Sequence, residues 1–268
     1  MYNLEQFYRQ FSEDVRSSGF SEAKARSFYA DYVRFVATVA APQAKILDVG
    51  CGTGWSSFLL SKEGFRTTGA DLNARAFEPS SSERLDLVQA SATALPFPDA
   101  TFDVVTSYQM LEHISEPQQA LAEMLRVLKP GGVLCVVGPN LLGVSNAIQT
   151  IAKHVWRNRP VRRILFRDAQ MSRHPFGNTL PEALLALFKS QFCLLQKVLK
   201  PELRFTMRQP DLRPPFHGDN DACYLCNPID LCKWAKAANC KILQNGKPGR
   251  SQWTTALTGG TWIAMRKL

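Results

Sequence analysis

The stretch ILDVGCGTGWSSFLLSKEGFRTTGADLN, from Ile46 to Asn73, constrains this chain more than any other. It reads as a short apolar strand, an aspartate, three glycines in five residues, a helix, and a second strand ending in another aspartate. Glycines where a strand turns into a helix let backbone amides approach a ligand, because no Cβ intervenes. A dinucleotide site would want G-x-G-x-x-G, with a pyrophosphate on the helix N-terminus. Here the order is Gly50-x-Gly52-x-Gly54, followed by Trp55 and Ser56 where a pyrophosphate would need room. A P-loop would need Lys-Ser/Thr after the last glycine, and none is present. Asp48, just before the loop, repels an anion and suits a ligand carrying an ammonium or sulfonium group. Asp71 ends the second strand, where a carboxylate accepts hydrogen bonds from a ribose diol. The combination points to a positively charged nucleoside.

The rest of the chain fits around that unit. Strands are expected at 45–49, 66–71, 85–90, 101–107 and 133–138, with helices at 54–63 and 116–128, the latter ending before Pro130-Gly131-Gly132. Short strands that are apolar on both faces and alternate with helices imply a parallel sheet covered on both sides. Residues 1–41 read as helical, with Phe28, Tyr32, Phe35 and Val36 on one apolar stripe and Ser21 as N-cap. After Asn140 the rhythm changes. Residues 141–170 read as one arginine-laden helical stretch, 179–198 and 228–244 as helix-then-strand units, 200–221 as a proline-rich loop, and GGTWIAMRKL as an apolar closing strand. Four regions follow: a helical cover at 1–43, a core at 44–140, a variable insertion at 141–227, and closing elements of the core at 228–268.

With 268 residues the chain is long enough for one full core. No apolar run approaches bilayer length, and the first residues carry charges where a signal peptide would be apolar, so a cytoplasmic location is the default expectation. The seven cysteines are scattered. Cys223 and Cys226 sit in DACYLCNP, which alternates like a strand and would send the two thiols to opposite faces, so buried thiols are favoured over a zinc site. A net charge of +9 suggests an acidic partner or a merely basic surface.

The series ILDVGCGTG, GADLN, ALPFPDATFDVVTSYQMLEHISEP and EMLRVLKPGGVLCVVGPN resembles the class I S-adenosylmethionine-dependent methyltransferases, closely over residues 44–140 and loosely in the closing strand. The resemblance implies an α/β fold, a Rossmann-like doubly wound seven-stranded, mostly parallel sheet with an antiparallel last strand beneath the N-terminal helical cover. It implies S-adenosyl-L-methionine as cofactor, S-adenosyl-L-homocysteine as product, and no metal. It assigns Asp48 and the backbone of Gly50, Gly52 and Gly54 to the methionine moiety, Asp71 to the ribose and Leu72 to the adenine face. Ser91 and Ala92 fall where the adenine edge is read, although relatives usually carry an aspartate at the Ser91 position. Tyr108 falls beside the methionine arm, where an aromatic face can stabilise a sulfonium.

Methyl transfer needs two aligned reactants in a dry site, and a base only when the acceptor must lose a proton. His113, in the motif LEHI, is a candidate base or an ordering residue. His174 and His217 are candidates in the variable half, and Glu112 is a further carboxylate in reach. The expected acceptor is a small molecule, acidic or lipid-like, methylated on oxygen. The arginine stretch at 153–167, interleaved with Trp156 and Phe166, suits peripheral membrane contact or a solvated lid. Two alternatives stay open: a nucleic-acid or protein methyltransferase, which SYQM after the fourth strand disfavours, and a cofactor-binding protein without turnover. Nucleic acid is not an expected partner, and the sequence leaves the oligomeric state open.

Overall fold

The computed structural model describes residues 21–73, 77–79, 83–143, 180–210, 221–250 and 260–268. Its helices are α1 (Glu22–Ala37), α2 (Trp55–Lys62), α3 (Pro117–Val127), α4 (Leu180–Leu199) and α5 (Pro228–Ala237). Its strands are β1 (Lys45–Val49), β2 (Arg66–Asp71), β3 (Leu85–Gln89), β4 (Phe102–Tyr108), β5 (Leu128–Pro139), β6 (Cys240–Asn245) and β7 (Gly260–Lys267). They form one sheet in the order β3-β2-β1-β4-β5-β7-β6. The pairs among β1 to β5 are parallel, and β7 runs antiparallel between β5 and β6. This is the expected doubly wound sheet with its reversed last strand.

Period-two alternation sorts β1 between two cores. Leu47 and Val49 join a layer with Leu121, Met124, Leu231 and Trp234 from α3 and α5. Ile46 joins the opposite layer with Tyr32, Phe35 and Leu60 from α1 and α2. Asp48 shares the face of Ile46 and therefore points into the α1–α2 side. Strand order reverses at β1, with β2 on one side and β4 on the other, which opens a crevice past their carboxyl ends.

Local signals set most boundaries. The Ser21 hydroxyl accepts from the Lys24 amide at 3.5 Å and caps α1 as expected. Pro117 starts α3 at a position where its missing N–H costs nothing. Asn227 caps α5, accepting from the Asp230 amide at 3.0 Å.

Three expectations are corrected. Residues 180–199 are helical throughout, so the second half of the 179–198 unit is no strand. Residues 221–227 form no regular strand; Tyr224 makes an isolated bridge to Met207, and Cys223 and Cys226 are both buried thiols. Phe28 leaves the buried stripe and is 57% exposed, while Ala25 and Val33 are buried instead. Residues 144–170 of the expected helix, the whole arginine stretch at 153–167, His174 and His217 lie outside the described residues.

Candidate functional site

The three glycines after β1 all have positive φ, each in a different environment. A Cβ on Gly50 would lie 2.2 Å from Met110 Cγ, so that glycine is demanded by packing. A Cβ on Gly54 would touch Leu87 at 3.2 Å. At Gly52, with φ +56°, a Cβ would meet nothing within 4 Å among the described residues. Among the described residues, Gly52 alone of the three faces open space.

The loop is tied to β2 at two levels. The amides of Gly50 and Cys51 donate to the Ala70 carbonyl at 2.7 and 3.2 Å. The Gly52 amide donates to Asp71 Oδ2 at 2.8 Å, and the Asn73 amide donates to Asp71 Oδ1 at 2.9 Å. Burial pushes the Asp71 carboxyl above its usual range, against the pull of these amides. Each oxygen keeps lone-pair capacity for a further donor. Leu72, next to it, is 59% exposed, an apolar side chain turned to solvent beside a carboxylate.

Asp48 lies beneath the loop and is fully buried. Its Oδ1 accepts from the Tyr32 phenol at 2.7 Å, and its Oδ2 accepts from the Ser56 and Ser57 hydroxyls at 2.6 and 2.8 Å. Burial raises its carboxyl pKa in spite of three donors. The Tyr32 hydroxyl gives its one proton to Asp48, so its 2.9 Å contact with Thr106 Oγ1 is donated by the threonine.

Above this network sits an aromatic cluster. Tyr108, half-buried at the end of β4, has its ring 4.9 Å from Tyr32, 5.3 Å from Tyr29 and 5.9 Å from Phe28. Burial pushes the phenols of Tyr29 and Tyr108 up, with Asp48 adding to the effect at Tyr29. Trp55 Nε1 donates to Glu78 Oε2 at 2.5 Å, and the Glu78 amide donates to the Thr53 carbonyl at 3.0 Å, so residue 78 closes onto the loop. Ser91 Oγ is engaged locally with Thr93 Oγ1 at 2.9 Å and the Thr93 amide at 3.3 Å, and Ala92 is buried.

Beyond β4, Leu111–His113 form a short 3-10 turn. The Glu112 side chain is fully buried, and its carbonyl accepts from the amides of Cys223 and Tyr224 at 2.8 and 3.0 Å. His113 Nδ1 stands 2.9 Å from Asp221 Oδ2, and its Nε2 is 3.8 Å from Glu112 Oε1. The LEH turn is thus the seat on which residues 221–226 are pinned.

Residues 47–136, which hold most of this arrangement, match the family model of a methyltransferase domain. That segment of the chain carries a methyltransferase domain. Over 99 residues it is 42% identical to demethylmenaquinone methyltransferase of Renibacterium salmoninarum, a match covering 36% of this chain and 42% of that protein. Over 128 residues it is 35% identical to a mitochondrial ubiquinone biosynthesis O-methyltransferase of Schizosaccharomyces pombe, covering 44% and 46%. The chain spans less than half the length of these curated relatives. Its fold is similar to that of a Listeria monocytogenes protein named "putative S-adenosylmethionine dependent methyltransferase", with a TM-score of 0.54 at 15% identity, covering 89% of this chain and 99% of that one.

Around the methyltransferase domain the structure gathers Asp48, Gly50, Gly52, Gly54, Asp71 and Tyr108 at one end of the sheet. Four further residues escaped sequence reasoning. Tyr32 reads only as part of an apolar helix face, although a tyrosine on such a stripe signals a hydroxyl in need of a buried partner, and Tyr29 is not singled out at all. Glu78 and Asp221 lie in irregular segments with no local signature. Among the described residues, no group of three or more His, Cys, Asp or Glu is placed to hold a metal ion.

Proposed function

We infer that this protein transfers a methyl group from S-adenosylmethionine to a hydroxyl of a small, lipid-like acceptor. The observation that carries the reading is Gly52. Its left-handed backbone, the open space where a Cβ would stand, and its amide fixed on Asp71 make a cradle beside a carboxylate with acceptor capacity left. A ribose diol suits Asp71, an adenine face suits exposed Leu72, and the aromatic face of Tyr108 suits a sulfonium. Asp48, enclosed by three hydroxyls, acts from below by holding the loop and α2 in register. When bound, S-adenosylmethionine supplies an electrophilic methyl, whose carbon–sulfur bond breaks as the bond to the acceptor oxygen forms.

What this chain contributes is alignment, exclusion of water and a proton acceptor. His113 fills the last role: Asp221 orients its ring through Nδ1, and the imidazole accepts the hydroxyl proton. His174 is a second proposed base, from the variable half. The names of the two curated relatives, concerned with menaquinone and ubiquinone, support a quinone-like acceptor. Because the matched segment is the cofactor half, the acceptor class rests on those names. The regions at 1–43, 141–227 and 228–268 serve as cover, acceptor side and closing elements in this reading.

Isothermal titration with S-adenosylhomocysteine tests the cofactor site. Saturable binding to the wild type and a loss of roughly 30-fold or more in Asp71→Ala are expected, the scale of one or two lost charge-assisted hydrogen bonds. No saturable binding, or an unchanged Asp71→Ala, overturns it. Isotope transfer from labelled cofactor into lipid, nucleic-acid and small-metabolite fractions of a cell extract tests the acceptor class, and label confined to nucleic acid refutes it.

A further inference from the structure

Helix α4 exposes most of its apolar side chains, with Leu187 and Leu194 half-buried, and buries Ser190 and Lys197. Its protein-facing side carries polar groups. Ser190 and Lys197 are buried, Gln191 Nε2 donates to the Leu142 carbonyl at 3.3 Å, and Cys193 Sγ lies 3.7 Å from Thr206 Oγ1. Lys197 Nζ donates to both oxygens of buried Asp230 at 2.7 and 2.8 Å. From α5, Lys233 Nζ reaches the carbonyl of Lys197 at 2.6 Å and that of Lys200, closing the helix C-terminus with a cation where the macrodipole favours one. Ionic and hydrogen-bonded ties therefore seat α4 on its neighbours.

Its outward side is apolar. Leu184, Leu185, Phe188, Phe192, Leu195 and Leu199 are 40–71% exposed. At about 100° per residue all six fall within an arc of about 100°. Exposed Lys189, Gln196 and Lys200 run along one border of that strip. In an ordinary surface helix the apolar stripe faces the core, and the reversal leaves a continuous hydrophobic face with a cationic edge.

We propose that this face of α4 docks on an anionic lipid bilayer, lying in its interface. Four observations select that occupant. The border of the strip is cationic on a chain of net charge +9, which complements anionic headgroups. Phenylalanine and leucine on one face opposite polar groups are the composition of an interfacial helix. No described helix is long and apolar enough to cross a membrane, so α4 lies on the surface. A second copy is a poor fit, because a 20-residue helix presents a strip of about 30 by 10 Å, near 300 Å², against the roughly 800 Å² per partner of a stable interface. The location also serves the proposed function, on which this one clause rests: Gln191 holds Leu142, three residues beyond the carboxyl tip of β5, so the docked face adjoins the end of the sheet where a lipid-like acceptor would arrive.

Co-sedimentation of the full chain with vesicles of phosphatidylcholine, with and without phosphatidylglycerol, tests it. Binding is expected at least tenfold tighter to the anionic vesicles and weakened by high salt. Phe188→Ser with Phe192→Ser should weaken it tenfold or more at unchanged Tm and unchanged affinity for S-adenosylhomocysteine. Lys189→Glu with Lys200→Glu should abolish the preference for anionic lipid. Four results overturn the proposal: no vesicle binding by the wild type; binding undiminished by the phenylalanine variant; a Tm fall in that variant, which means that the chain itself covers the strip; or a dimer in sedimentation velocity that the variant dissolves. Vesicle binding is read without cofactor or acceptor, so its failure leaves the methyl-transfer reading standing, and the reverse.

Discussion

The phenol of Tyr32 donates a 2.7 Å hydrogen bond to Asp48, joining the N-terminal helix to the carboxylate beneath the glycine loop, and both residues are buried. The bond crosses from α1 to the tip of β1, so the cover helix is part of the site's foundation. Tyr32→Phe removes the donor and keeps the ring. A buried carboxylate that loses one of three hydroxyl partners should cost about 1–3 kcal/mol, which for a chain of this size is a Tm fall on the order of 3–8 °C by thermal denaturation. An unchanged Tm would mean that the bond contributes nothing to stability.

The same carboxylate gives the protein a pH signature. Burial raises the folded-state pKa of Asp48 above 3.8. The folded chain therefore holds that proton more tightly than the unfolded chain does. The stability so gained is full below about pH 3.8 and is lost as pH rises through the elevated folded value. Asp48→Asn carries no titrating proton. Urea denaturation of both proteins between about pH 4 and pH 8 should show the stability of the wild type, relative to the variant, falling with pH and then levelling. A difference that stays flat or climbs contradicts the burial argument.

Two neighbouring glycines should respond in opposite ways to the same change. Gly50→Ala places a Cβ 2.2 Å from Met110 Cγ at a φ of +73°, so clash and backbone strain combine, and a loss of about 2–4 kcal/mol in urea denaturation is expected. Gly52→Ala meets no atom of the described residues within 4 Å and bears only the left-handed penalty of about 1 kcal/mol. It fills the proposed cradle, so its deficit should appear in titration with S-adenosylhomocysteine, as at least tenfold weaker binding to a nearly wild-type fold.

The buried pair Lys197–Asp230 shows how α4 is held. The two residues are 7% and 1% exposed and are clasped through both carboxylate oxygens. Lys197→Met leaves a buried carboxylate whose other donors, Asn227 and Tyr224, carry no charge, and should cost about 3–5 kcal/mol. Lys197→Met with Asp230→Leu removes both charges and should recover most of that loss. A double variant no more stable than the single one in urea denaturation would show that packing, and not the ion pair, sets the cost.

What the sequence discloses follows the range of the interaction. The glycine loop, the cap at Ser21 and the strands of the sheet are legible because each signal lies within a few residues of its effect, whereas the Asn227 cap emerges only in the structure. Asp71 was legible as the end of a strand that starts after a turn. The Tyr32–Asp48 bond joins residues 16 apart and the Lys197–Asp230 pair residues 33 apart, so neither leaves a local trace. The strand expected in the second half of 179–198 fails for the same reason: the distant Lys197–Asp230 pair helps to hold α4, and its exposed apolar residues face away from the protein. Phe28 left its stripe for a related reason, packing its ring against Tyr29 and Tyr108 at the exposed edge of the cluster.

The contact between His113 and Asp221 separates chemistry from scaffolding. If His113 takes the acceptor's proton, His113→Asn should lower kcat by about 10²–10⁴-fold toward the acceptor found by isotope transfer, with affinity for S-adenosylhomocysteine unchanged. Asp221→Asn, which keeps a side chain of the same shape beside Nδ1, should lower kcat by a smaller factor, about tenfold, because it leaves the imidazole less well held. A purely structural role gives the opposite pattern. Residues 221–226 would loosen from the LEH turn, Tm would fall in both variants, and kcat measured well below the new Tm would stay near the wild-type value. Measuring kcat, cofactor affinity and Tm on the same two preparations distinguishes the cases, and the base assignment fails if kcat survives His113→Asn.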